Sequence, residues 1–186
     1  MSIDVSASVA DLYYVSENGK AEIIDGELVR FMPTGRRPKR AASRIWRSLD
    51  DYEQTYGGGV AVSDNAGFIV DLPHRESFSP DAARYAGPIN GDNEMDFYIG
   101  APAFAAEVRS KNDYGRHAER EIAAKHRDYF AAGTLVVWDV DLLSEDVVKV
   151  YRTDQPDTPA IYRRGDLAEA DPAIPDWRMP VDELFR

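Results

Sequence analysis

A glutamate near the end of a predicted β-strand is the first residue of this sequence whose surroundings favour chemistry. Residues 103–109 read AFAAEVR, and the alternation of a strand turns Glu107 away from the more apolar face. The side chains beside it on its own face are small alanines, which leave room for a cation or a substrate. The competing interpretation is a strand-end glutamate that pairs with Arg109, its neighbour on the same face.

A lysine is expected on the inward face of the helix that follows. With Ile122 at the centre of the apolar stripe and a step of about 100° per residue, Lys125 lies only about 60° from that centre. Because burying an unpaired ammonium is costly, Lys125 must either extend to water or meet a carboxylate. The second alternative directs it at the carboxylates of the neighbouring sheet.

Two further acidic residues lie where a carboxylate could join Glu107. Asp81 follows Pro80 and begins a short predicted strand, a position at which proline is tolerated. Pro-Asp is also a common turn pair, so both interpretations stay open. Glu22 lies between apolar residues on one face of a predicted hairpin, where it either completes an acidic cluster or is an exposed hairpin glutamate.

The elements that must position these residues follow from turn residues and periodicity. Asp25-Gly26 predicts a hairpin within residues 21–31, and apolar residues at three- and four-residue steps predict a helix over residues 38–56. The other expected elements are a strand pair at 60–62 and 67–70, strands at 80–85, 103–109, 134–140 and 147–152, and helices at 116–132 and 181–185. Strand 103–109, helix 116–132 and strand 134–140 form a crossover unit, so we expect a mixed sheet flanked by helices in an α/β fold.

Composition and charge restrict the function classes. The chain of 186 residues has no cysteine, which excludes disulfide frameworks and thiolate metal sites, and 44% hydrophobic residues indicate one ordinary globular domain over residues 1–186. It has no long apolar run and no signal-peptide pattern, so we expect a cytoplasmic protein without membrane segments. The net charge of −11 disfavours tight generic DNA binding, which is driven by positive charge.

The remaining basic, histidine and tryptophan residues are more typical of surface and core positions than of a catalytic site. A basic cluster at 36–47 could contact phosphate or be a solvated helix face. His117 and His126 are nine residues apart, so their helical directions are opposed and they cannot form a metal-binding pair. Trp46, Trp138 and Trp177 are expected in the core.

Taken together, these motifs match the acidic pair plus lysine of the PD-(D/E)xK fold, and the sequence resembles the Uma2 family (DUF820) over nearly its whole length. Five segments carry the resemblance in the right order: EIIDGEL at 22–28, SPD at 79–81, AEVRS at 106–110 followed by Asn112-Asp113, the helix with Lys125, Tyr129, Ala132 and Gly133, and PDWRMPVDELF at 175–185. The resemblance implies a restriction endonuclease-like fold with a mixed β-sheet flanked by α-helices.

The chain departs from the family pattern at two positions. Family members often carry Ser-Pro after the acidic strand, whereas this chain has Ser110-Lys111. The basic position of the parent motif is occupied by Arg109. The resemblance implies that the lysine on the helix is the catalytic cation, so we predict this role for Lys125, with Arg109 as a supporting partner.

The resemblance also implies a reaction. Asp81 and Glu107 would bind Mg²⁺ (or Mn²⁺) together with water and a main-chain carbonyl near Val108. Lys125 would position or deprotonate the attacking water or stabilise the transition state, and Glu22 would complete the cluster. The reaction would be hydrolysis of phosphodiester bonds in nucleic acid, with DNA the expected substrate and a homodimer the expected assembly.

Two other function classes are compatible with the sequence. A protein with a nuclease fold can bind nucleic acid or a protein partner without cutting, since fold does not fix function. A structural module would have no site at all, and its charged residues Asp81, Glu107 and Lys125 would be scattered and solvated. The distances among these three side chains discriminate between the last class and the first two.

Overall fold

Three α-helices, thirteen strands and a C-terminal 3₁₀ helix are formed by the residues that the computed structural model describes, which are 6–16, 19–89 and 95–186. In chain order they are α1 (Val9–Ser16), β1 (Lys20–Ile24), β2 (Glu27–Phe31), α2 (Arg36–Tyr56), β3 (Val60–Ser63), β4 (Phe68–Leu72), β5 (Arg75–Phe78), β6 (Ala82–Tyr85), β7 (Tyr98–Ile99), β8 (Phe104–Val108), α3 (Arg116–Ala131), β9 (Val136–Val140), β10 (Val148–Arg152), β11 (Gln155–Tyr162), β12 (Leu167–Ala170), β13 (Ile174–Pro180) and the 3₁₀ helix (Val181–Phe185).

The first hairpin is formed by β1 and β2. Ile24 pairs with Glu27 across a two-residue turn, and the φ angles of Asp25 and Gly26 are 52° and 72°. Asp and Gly are favoured in such a turn because both positions need positive φ. The predicted hairpin is therefore confirmed.

A six-stranded mixed sheet has the order β11-β10-β9-β8-β6-β3. Strands β8 and β9 are parallel and are connected through α3, whereas β6 pairs antiparallel with β8. Parallel neighbours require a crossover, and α3 supplies it. The predicted crossover unit and mixed sheet are confirmed.

Helix α2 begins at Arg36, two residues before the predicted start, and ends before Gly57 as expected. Pro38 is tolerated because it lies in the first turn, where its missing N–H has no helical acceptor. One face of the helix is buried, with Ala42, Ile45 and Leu49 in the core. This amphipathic helix packs on β8 and β6.

The six-stranded sheet has apolar side chains packed on both faces. On one face, Phe104 and Trp138 belong to a core cluster with α2 and the two-stranded sheet of β12 and β13. On the other face, Ala105 and Val137 pack with Tyr129 of α3 and with strands of a five-stranded sheet, β2-β1-β5-β4-β7. The alternation predicted for the strand of Glu107 is thereby confirmed.

One predicted pairing is wrong. Residues 60–62 and 67–70 do lie in strands, but β3 pairs with β6 in the six-stranded sheet, whereas β4 pairs with β5 and β7 in the five-stranded sheet. The Asp64-Asn65 turn therefore passes the chain from one sheet to the other. Turn residues specify a local reversal of the chain, and the strands that flank the turn find their partners through tertiary packing.

Several elements carry no clear signal in the sequence. They are α1, β5, β7, β11, β12 and β13. Strand β11 contains Pro156 and Pro159. It lies at the edge of the sheet, where proline is accepted because one side of the strand has no neighbour among the described strands. Among the helices of the described ranges, none combines the length and apolar content needed to span a membrane.

Candidate active site

Asp81 lies immediately before β6, against the end of β8. Its N–H donates to the carbonyl of Ala106 at 3.1 Å, and its Oδ2 accepts the N–H of Val108 at 2.8 Å. Because Ala82 pairs with Ala106 in the antiparallel register, the aspartate is held beside the strand that carries Glu107. The two predicted carboxylates are thus brought together by the pairing of β6 with β8.

Glu107 projects toward α3 and not toward Arg109. Its Oε1 accepts the hydroxyl of Tyr129 at 2.6 Å and lies 2.9 Å from Nζ of Lys125. Burial raises the pKa of Glu107 above its ordinary value, because the opposing effect of the Lys125 ammonium does not fully offset it and the negative charge of Asp81 adds to it. The side chain keeps some contact with solvent, at 21% exposure.

Lys125 faces the sheet, as the helical stripe predicts. Its ammonium lies between two carboxylates, 2.8 Å from Oε1 of Glu22 and 2.9 Å from Oε1 of Glu107. Burial alone would lower the pKa of Lys125, but attraction to Glu107 and Glu22 outweighs it, and the pKa is raised. Lys125 therefore carries its positive charge at neutral pH.

Glu22 is completely buried, and two cations and one main-chain N–H contact its carboxylate. Besides Lys125, it contacts Nη1 of Arg75 at 2.6 Å and accepts the N–H of Ser79 at 3.0 Å. Burial would raise the pKa of Glu22, yet the charges of Lys125 and Arg75 outweigh it and the pKa is lowered. Glu22 is thus an ionised member of the cluster and not an exposed hairpin residue.

Arg109 makes its ion pairs with other partners. Within the described residues its carboxylate partners are Asp139, held by two contacts of 2.7 Å, and Glu119 at the start of α3. The hydrogen bonds that Arg109 donates to Asp139 keep the pKa of Arg109 raised in spite of burial. The guanidinium therefore fastens the first turn of α3 to β8 and β9, while Lys125 alone of the two predicted cations contacts Glu107.

Sequence reasoning missed several residues of the cluster. Arg75 is buried and bridges Glu22 to Asp128, which it contacts at 2.7 Å. Lys20 contacts Oδ1 of Asp81 at 2.7 Å. A signal for Lys20 was available, since residues two apart on a strand share a face and Lys20 precedes Glu22 by two. Arg75 carried no such signal, because β5 was not recognised as a strand.

The donor atoms of the cluster are of the kind that a hard cation prefers. Asp81 and Glu107 offer carboxylate oxygens, and Mg²⁺ is commonly held by one or two carboxylates while it keeps several waters. Within the described ranges, no three His, Cys, Asp or Glu side chains converge as a metal-binding group. The residues therefore fit a cation such as Mg²⁺, which needs few protein ligands. They do not fit a cation that must be coordinated by protein side chains alone.

The three histidines lie in different surroundings. His74 contacts Asp128 at 2.7 Å, and His117 is exposed beside Glu121 on α3. His126 is buried, and burial lowers its pKa to about 4. Its ring packs against Tyr151 at 4.7 Å between centroids, so it is a packing residue.

The basic cluster of α2 begins next to the candidate site. Arg36 and Arg37 are exposed, and Lys39 contacts Oδ2 of Asp64 at 2.7 Å. The same aspartate lies 3.2 Å from Nζ of Lys20, which contacts Asp81. A continuous line of ion pairs therefore joins the first turn of α2 to the candidate site.

Comparisons with known proteins agree with this architecture. The model of the Uma2 family, described as "Putative restriction endonuclease", matches residues 9–182. A crystal structure of "a putative nuclease belonging to DUF820" from Anabaena variabilis ATCC 29413 superposes with a TM-score of 0.72 at 16% identity, covering 96% of this chain and 97% of that one. This likeness confirms the predicted fold. The curated proteins gave no match.

Proposed function

Because the chain belongs to the Uma2 family of restriction endonuclease-like proteins, we propose that it is a metal-dependent endonuclease that hydrolyses phosphodiester bonds of nucleic acid, with DNA as its substrate. The observation that carries the proposal is the convergence of Asp81, Glu107 and Lys125 where β6 begins and β8 ends in the mixed sheet. A structural module without a site would leave these three charges apart.

Asp81 and Glu107 are the proposed ligands of Mg²⁺ (or Mn²⁺), together with the main-chain carbonyl of Val108. When bound, the cation would activate water and neutralise charge on the scissile phosphate. The hydrogen bond from Val108 N–H to Asp81 keeps the aspartate next to β8, the strand that carries Glu107.

Lys125 is the proposed catalytic cation. Glu107 and Glu22 raise the pKa of Lys125, which favours the two expected roles that use a positive charge. We propose that its ammonium positions the attacking water and stabilises the negative charge that develops on phosphate. General-base action by Lys125 is not part of the proposal.

Glu22 and Arg109 are proposed to act through other residues. Glu22 holds the ammonium of Lys125 at 2.8 Å and so sets its position relative to Glu107. Arg109 ties α3, which carries Lys125, to the sheet that carries Glu107. Both are proposed as positioning residues, because Glu22 acts through Lys125 and Arg109 acts through the attachment of α3.

The test is cleavage of plasmid and single-stranded DNA in Mg²⁺ or Mn²⁺ by the parent protein and by Asp81→Asn, Glu107→Gln and Lys125→Met. Each variant removes one charge with little change of volume. We expect each to reduce cleavage by about 100-fold or more, since each removes either a proposed ligand of the cation or the proposed catalytic ammonium.

Asp71→Asn and Glu145→Gln are the matched controls, because both residues are exposed and make the same change of charge elsewhere. They should cleave as the parent does. Cleavage that survives in all three site variants would show a contaminant or another site. A protein that binds DNA but cuts nothing under these conditions would instead be a binding module.

The proposed setting is the cytoplasm, and the proposed assembly is a homodimer, which would present two sites to the two strands of a duplex. Sedimentation equilibrium measures the assembly directly. A mass equal to that of one chain at micromolar concentration would contradict the dimer and leave the proposed chemistry of Asp81 and Glu107 untouched.

A further inference from the structure

Lys20 neutralises the Asp81 oxygen that faces away from β8. Oδ2 of Asp81 is taken by the N–H of Val108, whereas Oδ1 lies 2.7 Å from the ammonium of Lys20. The Lys20 side chain is only 18% exposed, and it lies at the first residue of β1. Any second cation that is to use this oxygen of Asp81 must compete with Lys20.

Asp64 offers Lys20 another partner close by. Oδ1 of Asp64 lies 3.2 Å from the same ammonium, a longer contact than the 2.7 Å that joins this ammonium to Asp81. The other oxygen of Asp64 is occupied by Lys39 at 2.7 Å. A small shift of Lys20 from Asp81 toward Asp64 would shorten an ion pair that already exists.

The charges explain why such a shift would accompany cation binding. Lys20 and Lys39 balance Asp64 and Asp81 one to one. A divalent cation added to Asp81 would therefore repel the ammonium beside it, and the two positive charges could not share one carboxylate oxygen. Movement of Lys20 toward Asp64 relieves this repulsion, and both Asp64 and Asp81 keep a positive partner.

We propose that Lys20 is a placeholder cation, meaning that its ammonium occupies Oδ1 of Asp81 until a divalent cation displaces it toward Asp64. The inference rests on the proposed function, since it takes Asp81 as a ligand of the cation. Lys20 thereby weakens the affinity for the cation and keeps the acidic cluster neutral in its absence. The site then gains positive charge when the cation binds, which favours the approach of a phosphodiester.

Direct binding of Mn²⁺ tests this inference without any cleavage assay. Titration calorimetry in the absence of nucleic acid would compare the parent with Lys20→Met and Lys20→Gln, which both remove the charge and differ in polarity. Removal of a competing charge a few ångströms away should tighten Mn²⁺ binding by about tenfold or more. A lysine with a merely structural role would give the opposite result, because its loss would loosen the site.

Two further variants serve as controls. Lys20→Arg keeps the charge and should stay within about threefold of the parent affinity. Asp81→Asn should abolish Mn²⁺ binding in the parent and in Lys20→Met. Circular dichroism first establishes which variants fold, and either uncharged variant suffices for the test.

The outcomes separate this inference from the proposed function. Binding that depends on Asp81 but is no tighter in Lys20→Met and Lys20→Gln overturns the placeholder role and leaves the proposed metal site standing. Absence of Mn²⁺ binding in the parent and in both variants overturns both proposals. Tighter binding in the uncharged variants, lost again on Asp81→Asn, establishes the placeholder role.

Discussion

At the scale of single residues, Glu22 shows how a buried charge can organise a site. Its carboxylate is inaccessible to solvent and contacts two cations and one main-chain N–H. Removing one partner of a buried ion pair is far more destabilising than replacing the whole pair by apolar residues. The reason is that the remaining charge stays buried without a counter-charge. Lys125 and Arg75 both depend on Glu22 in this way.

We predict that Glu22→Gln lowers the free energy of unfolding at pH 7 by about 3 kcal/mol, because it leaves Lys125 and Arg75 without their shared counter-charge. Urea denaturation followed by far-ultraviolet circular dichroism measures the change. Glu27→Gln, an exposed position on the same hairpin, is the control and should change stability by less than about 0.5 kcal/mol. Equal stability of the two variants would contradict the prediction.

The pH dependence of the same variant has a definite sign. The pKa of Glu22 is lowered in the folded state, so its contribution to stability is fully present above the ordinary value of 4.5 and is lost as the pH falls through the lowered pKa. The stability gap between the parent and Glu22→Gln should therefore narrow below about pH 4.5. Urea titrations at pH 7, 4.5 and 3 would check this, and a gap that widens on acidification would exclude an ionised Glu22.

At the scale of secondary-structure elements, the position of Lys125 depends on how α3 is attached to the sheet. Arg109 extends β8 and joins Asp139 of β9 to Glu119 in the first turn of α3. A guanidinium can bind two carboxylates through its fork of N–H groups, which a lysine cannot imitate. This bridge holds α3 against the sheet, and α3 in turn holds Lys125 next to Glu107.

We predict that Arg109→Lys lowers the free energy of unfolding by about 2 kcal/mol. A lysine ammonium lacks the planar fork of N–H donors, so the buried Asp139 would lose part of its hydrogen bonding. Urea denaturation measures the loss, and Arg116→Lys at an exposed position of α3 is the matched control. Cleavage should also fall, because α3 would hold Lys125 less firmly against Glu107. If Arg109→Lys were as stable as the parent, the bridge would not be what attaches α3.

At the scale of the whole molecule, the distribution of charge matters more than its sum. The chain has a net charge of −11, yet the start of α2 is basic and is joined by ion pairs to the candidate site. Binding to phosphates depends on local cations that release counterions, so an acidic protein can still bind nucleic acid through one basic surface. We propose that nucleic acid approaches the site over the start of α2.

We predict that Arg36→Gln/Arg37→Gln weakens DNA binding and reduces the slope of log K against log salt concentration by about 2, because two phosphate contacts are lost. Fluorescence anisotropy in EDTA at several salt concentrations measures the slope without cleavage. Arg163→Gln/Arg178→Gln makes the same change of net charge elsewhere and should leave the slope unaltered. Identical slopes in both double variants would place the DNA on another surface.

The extent of the folding unit belongs to this scale as well. We propose that residues 1–186 form one domain, because α2 packs on the central strands and on the C-terminal 3₁₀ helix alike. Unfolding should then appear as one transition by tryptophan fluorescence and by circular dichroism. Two separated transitions would show that the segments unfold independently.

The sequence by itself determined the elements whose signals are local. The Asp25-Gly26 turn, the apolar stripe of α2 and the alternation of β8 each depend on neighbouring residues, and each was predicted correctly. The order of Asp81, Glu107 and Lys125 along strand, strand and helix was likewise readable. These features persist because side-chain direction follows the period of the element.

Only the tertiary structure decided which partners these residues have. The sequence left open whether Glu107 pairs with Arg109, and β3 was predicted to pair with β4; in the structure Glu107 contacts Lys125, and β3 pairs with β6. Lys20 reaches Asp81, a residue 61 positions away, and no local pattern predicts such a contact. Buried charges must find opposite charges wherever the packed sheets bring them, so their pairing is a property of the folded chain and not of any segment.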